Sequence, residues 1–202
     1  MTGTQTEHPV PERRFTVSIV GPSASGKSQL AMHTAEVLGE DAACRIPTDY
    51  FFIPRGAEQS LPDFLRQPLR YDWPLLARHL AAPSGTVRTT PDADFTGFHR
   101  LAESGGRSFV IRPVMIVDAM AAFPGADLLV LLDGPDEIRR ERLRDRDIRW
   151  GSAVSAHWEH LEVTWRHALE EMRSPEIVLD GERAIAVNVR AMAEEIHNRR
   201  AG

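Results

Sequence analysis

Cysteine occurs once, as Cys44, so no internal disulfide and no cysteine-built zinc site can form, and the fold has to stand on packing alone. Lysine is as scarce. Of the 24 basic residues only Lys27 is a lysine, so a chain that uses arginine everywhere else keeps one compact ammonium at one place. Asparagine appears only as Asn188 and Asn198. Long apolar runs are missing too. The longest, within 126–132, falls far short of the roughly 20 residues of a membrane-spanning helix, and 1–14 holds no apolar signal core. These absences predict a cytoplasmic protein with no membrane partner. A net charge of −5 removes the long-range attraction that a general nucleic-acid binder uses, so no nucleic-acid partner is expected.

With 42% hydrophobic and 26% charged residues, the chain has a globular composition and not a disordered or low-complexity one. Its 202 residues suit one domain, expected over 15–202 behind a flexible tail at 1–14. Phe15–Val20 is a β-rich run ending at Gly21, and Lys27–Leu38 follows with helical spacing of Leu30, Ala31, Ala35 and Leu38. A short strand at 43–47 comes next, then a polar, proline-bearing stretch to Arg70 that reads as loop. Tyr71-Asp72-Trp73-Pro74 starts a helix, the proline suiting its first turn. Alternation and turn formers after Gly85 predict a small β-arm over about 85–100. The runs 114–117 and 128–132 suit strands buried on both faces, with Asp118 and Asp133 at their ends. Helices over 135–150, 153–172 and 182–199, with a strand at 176–179, complete an α/β alternation.

Gly21-Pro22-Ser23-Ala24-Ser25-Gly26-Lys27-Ser28 fits the pattern GxxxxGK followed by Ser or Thr, and it lies between a strand and a helix. That is a P-loop: glycines allow a tight turn whose amides point at phosphate oxygens, and the helix adds its positive N-terminus. Gly21, Ser23, Ala24, Ser25, Gly26, Lys27, Ser28 and the adjoining Gln29 are therefore the candidate nucleotide contacts. Lys27 would reach the β- and γ-phosphates, and the Ser28 hydroxyl would ligate magnesium.

Nucleotide binding does not fix the reaction. Asp94-Phe95-Thr96-Gly97 fits the DxxG pattern of a GTPase switch, but the guanine-reading NKxD is missing, since the asparagines stand in Asn-Val-Arg and Asn-Arg-Arg. A motor usually needs more chain and a partner subunit. A small-molecule kinase needs an acceptor pocket, a base and a lid, so ATP- and magnesium-dependent transfer to a hydroxyl of a small polar acceptor is favoured. The rival is a regulatory P-loop protein that binds nucleotide without transfer. Asp49, after the second strand, can take the acceptor's proton or merely cap a turn beside Thr48. Asp118 can support magnesium or merely end a strand. Arg139, Arg140, Arg142, Arg144, Arg146 and Arg149 alternate with acidic residues in one helix, and most suit a solvated face. Arg142 and Arg146 share a face flanked by Leu143 and Ile148, which makes them candidates for a lid over about 139–152 that neutralises the transferring phosphoryl group. His157, Glu159, His160 and His167 lack an HExxH-type signature and read as part of an amphipathic helix with Trp158, Leu161 and Trp165 inward.

Together these residues resemble the uridine kinase and phosphoribulokinase family of P-loop kinases. The likeness spans about 15–180 and rests on GPSASGKS, on Asp49-Tyr50-Phe51-Phe52 where the family has an aspartate-led aromatic motif, and on Tyr71-Asp72-Trp73-Pro74. Asp94-Phe95 with Arg100 is similar to its substrate arm, Val117-Asp118-Ala119 stands where it usually has Glu-Gly, and Arg139, Arg142, Arg146 and Asp147 match its lid. The resemblance implies a P-loop NTPase-type three-layer α/β sandwich with a five-stranded parallel sheet. It implies Asp49 as base, with Lys27, Arg142 and Arg146 also catalytic, and magnesium on Ser28 and Asp118. Asp72 would grip vicinal hydroxyls of the acceptor sugar, with Phe52, Tyr71, Phe95 and Arg100 as further substrate contacts. A homodimer is compatible with it. Uridine kinases carry a tyrosine and a histidine where this arm has Ala93 and Phe98, so the implied acceptor is a different nucleoside or ribosyl compound.

Overall fold

The computed structural model describes residues 14–150 and 154–201. In chain order they form β1 (Phe15–Val20), α1 (Lys27–Leu38), β2 (Ala43–Ile46), α2 (Leu61–Leu65), α3 (Trp73–Leu80), β3 (Val87–Thr89), β4 (Asp92–Asp94), β5 (His99–Ala102), β6 (Ser108–Val110), β7 (Val114–Ala119), β8 (Leu128–Asp133), α4 (Asp136–Trp150), α5 (Trp158–Glu171), β9 (Ile177–Asp180) and α6 (Ile185–Ala201). Five strands make one parallel sheet in the order β2-β7-β1-β8-β9. Its strands bury apolar residues on both faces, as the continuous runs require. On one face Val17, Ile19, Val114 and Ile116 meet Leu30 and Ala31 of α1 and Val189, Met192 and Ile196 of α6. On the other, Met115 and Val117 meet Leu75, Leu76 and Leu80 of α3 together with Phe51 and Phe109. The result is a three-layer α/β sandwich. β1 sits between β7 and β8, where the strand order reverses, so its C-terminal end opens into the crevice in which such sheets bind ligands.

The arm is longer than the 85–100 segment expected. β3 pairs antiparallel with β6, and β4 with β5, so paired backbone extends to Val110. The last two strands, HRLA and SFV, are too short and too open to solvent for a periodicity to mark them. α2 interrupts the stretch read as loop, and its five residues bury only Phe64. Arg14, the last residue of the segment expected as a tail, is within the described residues. Its guanidinium donates to the carbonyls of Leu80, Ala82 and Arg112 and so fastens the start of β1 to the end of α3. The rest of the predicted tail, lid positions 151–152 and the first residue of the 153–172 helix lie outside the described residues. Beyond them a 3-10 turn, Val154–His157, leads into α5, and Asp147 accepts the Val154 and Ser155 amides at 3.0 and 2.7 Å. No helix among the described residues is long and apolar enough to cross a membrane.

Candidate active site

β1 ends against β8, and the loop that follows leaves no room there. A Cβ at Gly21 would lie 2.2 Å from the Leu132 carbonyl oxygen, so the close approach requires glycine. Ala24 and Gly26 then take positive φ, 61° and 105°, which turns the loop into α1. Lys27 is buried in the first turn, where its Nζ donates to the Pro22 carbonyl at 2.8 Å. Burial lowers its pKa to about 8, although Asp118 and Asp49 pull it upward. The Ser25 hydroxyl is buried as well, the residue being 1% exposed, and it has no hydrogen-bond partner. A buried ammonium held by a loop carbonyl, beside an unsatisfied hydroxyl, is a cradle short of acceptors, and phosphate oxygens fit that need. Ser25, Gly26 and Gln29 also border a cavity of about 340 Å³ whose other walls include Arg142, Gly181 and Asn188. Ser23 contributes its carbonyl, which accepts from Arg139 at 3.3 Å.

Asp118 belongs to β7, in register with Ile19 of β1, and this places it beside the loop. It is 4% exposed, and three donors hold it. Ser28 Oγ donates to its Oδ2 at 2.6 Å, while Arg45 of β2 reaches both oxygens, Nε to Oδ1 at 2.9 Å and Nη2 to Oδ2 at 3.0 Å. Sequence reasoning missed Arg45. Its partner lies 73 residues away, and no motif marks a charge in a four-residue strand. Asp49 sits in a 3-10 turn, Thr48–Phe51, just past β2. Asp49 is exposed to solvent, yet neighbouring protein atoms and charges crowd its carboxylate. Burial first and Asp118 second raise its pKa, with Lys27 and Arg45 opposing.

The same turn is stitched to the start of α3. Phe52 and Tyr71 form an antiparallel bridge, and the Asp72 amide donates to the Phe51 carbonyl at 2.7 Å. Asp72 caps α3, its Oδ1 accepting from the Leu75 amide at 3.0 Å, and its Oδ2 lies 3.6 Å from Arg100 Nη1 of β5. Arg100 also donates to the Phe52 carbonyl at 3.3 Å. Phe52 and Tyr71 are themselves buried. The Tyr71 hydroxyl accepts from the Met120 amide, and its ring stacks on Trp73 at 4.7 Å. Phe95 is 44% exposed and meets Tyr50 edge-on at 5.0 Å. Phe98, at φ 55°, packs on Phe52 and Phe64.

Three arginines of α4 face the loop in different ways. Arg139, 2% exposed, is tied to Glu162, Asp136 and the Ser23 carbonyl, with its guanidinium 4.8 Å from the centre of the Trp158 ring. Arg142 donates to the Ser25 carbonyl at 3.2 Å and the Gly181 carbonyl at 3.1 Å. Arg146 lies close enough to Lys27 and Asp49 to lower both their pKa values. Leu143 anchors the helix, being fully buried, whereas Ile148, expected to help, is 83% exposed. Asp94 spends its carboxylate on the β4–β5 turn, Oδ1 accepting from Thr96 N at 2.8 Å and Oδ2 from Gly97 N at 2.9 Å. His160 points Nδ1 at the Leu65 carbonyl, 2.9 Å away, and Trp165 is buried as expected.

No protein-family model matches the chain, and no curated protein matches it. Solved structures do. A candidate fructose transport system kinase from Silicibacter sp. TM1040 superposes with a TM-score of 0.59 at 19% identity, over 87% of this chain and 92% of that one. A candidate uridine kinase from Bacillus stearothermophilus gives 0.52 at 19% identity, over 83% and 89%. At such identity the likeness is one of fold. The chain shares with them an α/β sandwich in which helices flank a parallel five-stranded sheet.

Proposed function

We propose that the chain is an ATP- and magnesium-dependent kinase that transfers the γ-phosphoryl group to a hydroxyl of a small polar acceptor, a nucleoside or ribosyl compound. One observation carries this reading. Asp49 stands within electrostatic reach of Lys27 and Asp118, and the chain that carries it is hydrogen-bonded to Asp72 through the Phe51 carbonyl and to Arg100 through the Phe52 carbonyl. A carboxylate so set can meet a phosphate on one side and an acceptor on the other.

The loop amides, Lys27 and the Ser25 hydroxyl hold the phosphates, and the cavity beside Gln29 and Asn188 takes the nucleoside end of ATP. Magnesium, when bound, offsets charge on the phosphate oxygens; Ser28 and Asp118 are the residues that would hold it. Asp49 accepts the acceptor's hydroxyl proton as that oxygen approaches phosphorus, and its raised pKa makes it a stronger base than a surface carboxylate. Arg142 and Arg146 balance charge on the transferring group from α4. Asp72 and Arg100 grip the acceptor's hydroxyls, with Phe52, Tyr71 and Phe95 shaping the wall behind them. The switch reading loses its main feature, because the DxxG carboxylate already closes a hairpin turn. A screen of nucleosides and ribosides for acceptor-stimulated ADP release tests the proposal. Guanine-selective binding with no acceptor-dependent turnover would refute it.

A further inference from the structure

Asp118 is held more completely than a metal carboxylate needs to be. Each carboxylate oxygen offers two lone pairs. On Oδ2 both are engaged, by Arg45 Nη2 and Ser28 Oγ, and on Oδ1 one is engaged by Arg45 Nε. An ion approaching Oδ2 has to displace a donor, whereas a water can still dock on Oδ1. The fork of a guanidinium fits both oxygens at once, which neither lysine nor glutamine can do. Arg45 is also a fixed positive charge beside the place a dication would take.

We propose that Arg45 is a positioning residue that competes with the divalent cation for Asp118, so that the guanidinium weakens the hold of this carboxylate on the metal. The inference rests on the kinase reading above. Magnesium keeps several waters and needs only one or two protein oxygens, so this arrangement suits it. The consequence has an unusual sign: removing Arg45 leaves a buried carboxylate without its countercharge, and a divalent cation then gains what the guanidinium gave up.

The test is a Mn²⁺ titration followed by electron paramagnetic resonance, with the full chain and adenylyl imidodiphosphate present. Wild type, Arg45→Gln and Arg45→Lys are compared, and circular dichroism reports folding. Arg45→Gln is expected to bind Mn²⁺ on the order of tenfold tighter, the scale on which outer-shell partners act. Arg45→Lys keeps the charge with one contact fewer and is expected to fall between the two. A purely structural role for Arg45 gives no reason for tightening. Arg45→Gln binding Mn²⁺ as wild type does, or more weakly, overturns the inference; should that variant not fold, an Arg45→Lys no tighter than wild type overturns it. Wild type that takes up no Mn²⁺ with the nucleotide overturns the kinase reading and this inference together.

Discussion

Lys27 and Asp49 titrate in opposite senses from their ordinary values, and the pH dependence of turnover follows from the signs. Burial brings Lys27 down to about 8, so the free protein loses the ammonium as pH rises through that value. Bound phosphates restore the charge. The ratio kcat/KM for ATP, which reports the free enzyme, is therefore expected to fall above about pH 8, while kcat holds to higher pH. As the proposed base, Asp49 would work only when deprotonated, and its raised pKa is expected to move the acidic limb above the ordinary carboxylate range. Rate profiles at limiting and saturating ATP check both limbs; the same alkaline limb in kcat and kcat/KM would mean that the nucleotide does not meet Lys27. The two aspartates should also part company under substitution. Asp49→Asn is expected to lower kcat by roughly 10² to 10⁴ with metal binding unchanged. Asp118→Asn should instead raise the magnesium needed for half-maximal rate, since it removes negative charge next to Ser28. A magnesium titration at saturating ATP separates them, and rescue of Asp49→Asn by excess metal would exchange the roles.

In α4, arginines three residues apart serve different ends. Arg139 is a buried tie between α4, α5 and the loop, so Arg139→Met is expected to cost about 2 kcal/mol of stability. In a domain of this size that lowers Tm by about 4 to 8 °C. Arg142 is exposed and, among the described residues, hydrogen-bonds to the carbonyls of Ala24, Ser25 and Gly181, so Arg142→Ala should hold Tm within about 2 °C and reduce kcat. Calorimetry and turnover on both variants decide the matter; the opposite pattern would make Arg142 the structural residue. Elements with strong local signals were legible in the sequence: β1, the loop and α1 fall where glycines and periodicity put them, and β7 and β8 where apolar runs do. Short elements held by distant partners were not. α2 has five residues, β5 and β6 are three or four residues long and partly solvated, and the guanidinium of Arg45 is placed by Asp118 across the sheet. Ile148 shows the same limit from the other side, since an apolar residue in sequence need not face a core.

Across the whole molecule, the proposed kinase would draw the two walls of its site from different parts of the chain. The nucleotide wall is built by the loop after β1, by Arg142 and by the β9–α6 connection at Gly181. The acceptor wall comes from the turn after β2, the start of α3 and the arm, joined by the Phe52–Tyr71 bridge and the Asp72–Arg100 pair. In that reading the Asp49 region serves both, so a change confined to the acceptor wall should leave ATP affinity alone. Asp72 allows a clean test because it caps α3 and pairs with Arg100, and in the proposed reading it would also grip the acceptor. Asp72→Ser keeps an oxygen for the Leu75 amide but removes the carboxylate, whereas Asp72→Ala removes both. Losing a charged hydrogen bond of about 1.5 to 3 kcal/mol predicts an acceptor KM raised roughly 10- to 100-fold in either variant, with the ATP KM unchanged. Asp72→Ala alone should also lose about 1 kcal/mol of stability, or about 2 to 4 °C in Tm. Steady-state kinetics with both substrates varied, together with thermal melts, read out all three effects. An acceptor KM untouched in Asp72→Ser would reduce Asp72 to a helix cap, and an ATP KM rising in step with the acceptor's would mean the two walls are not independent.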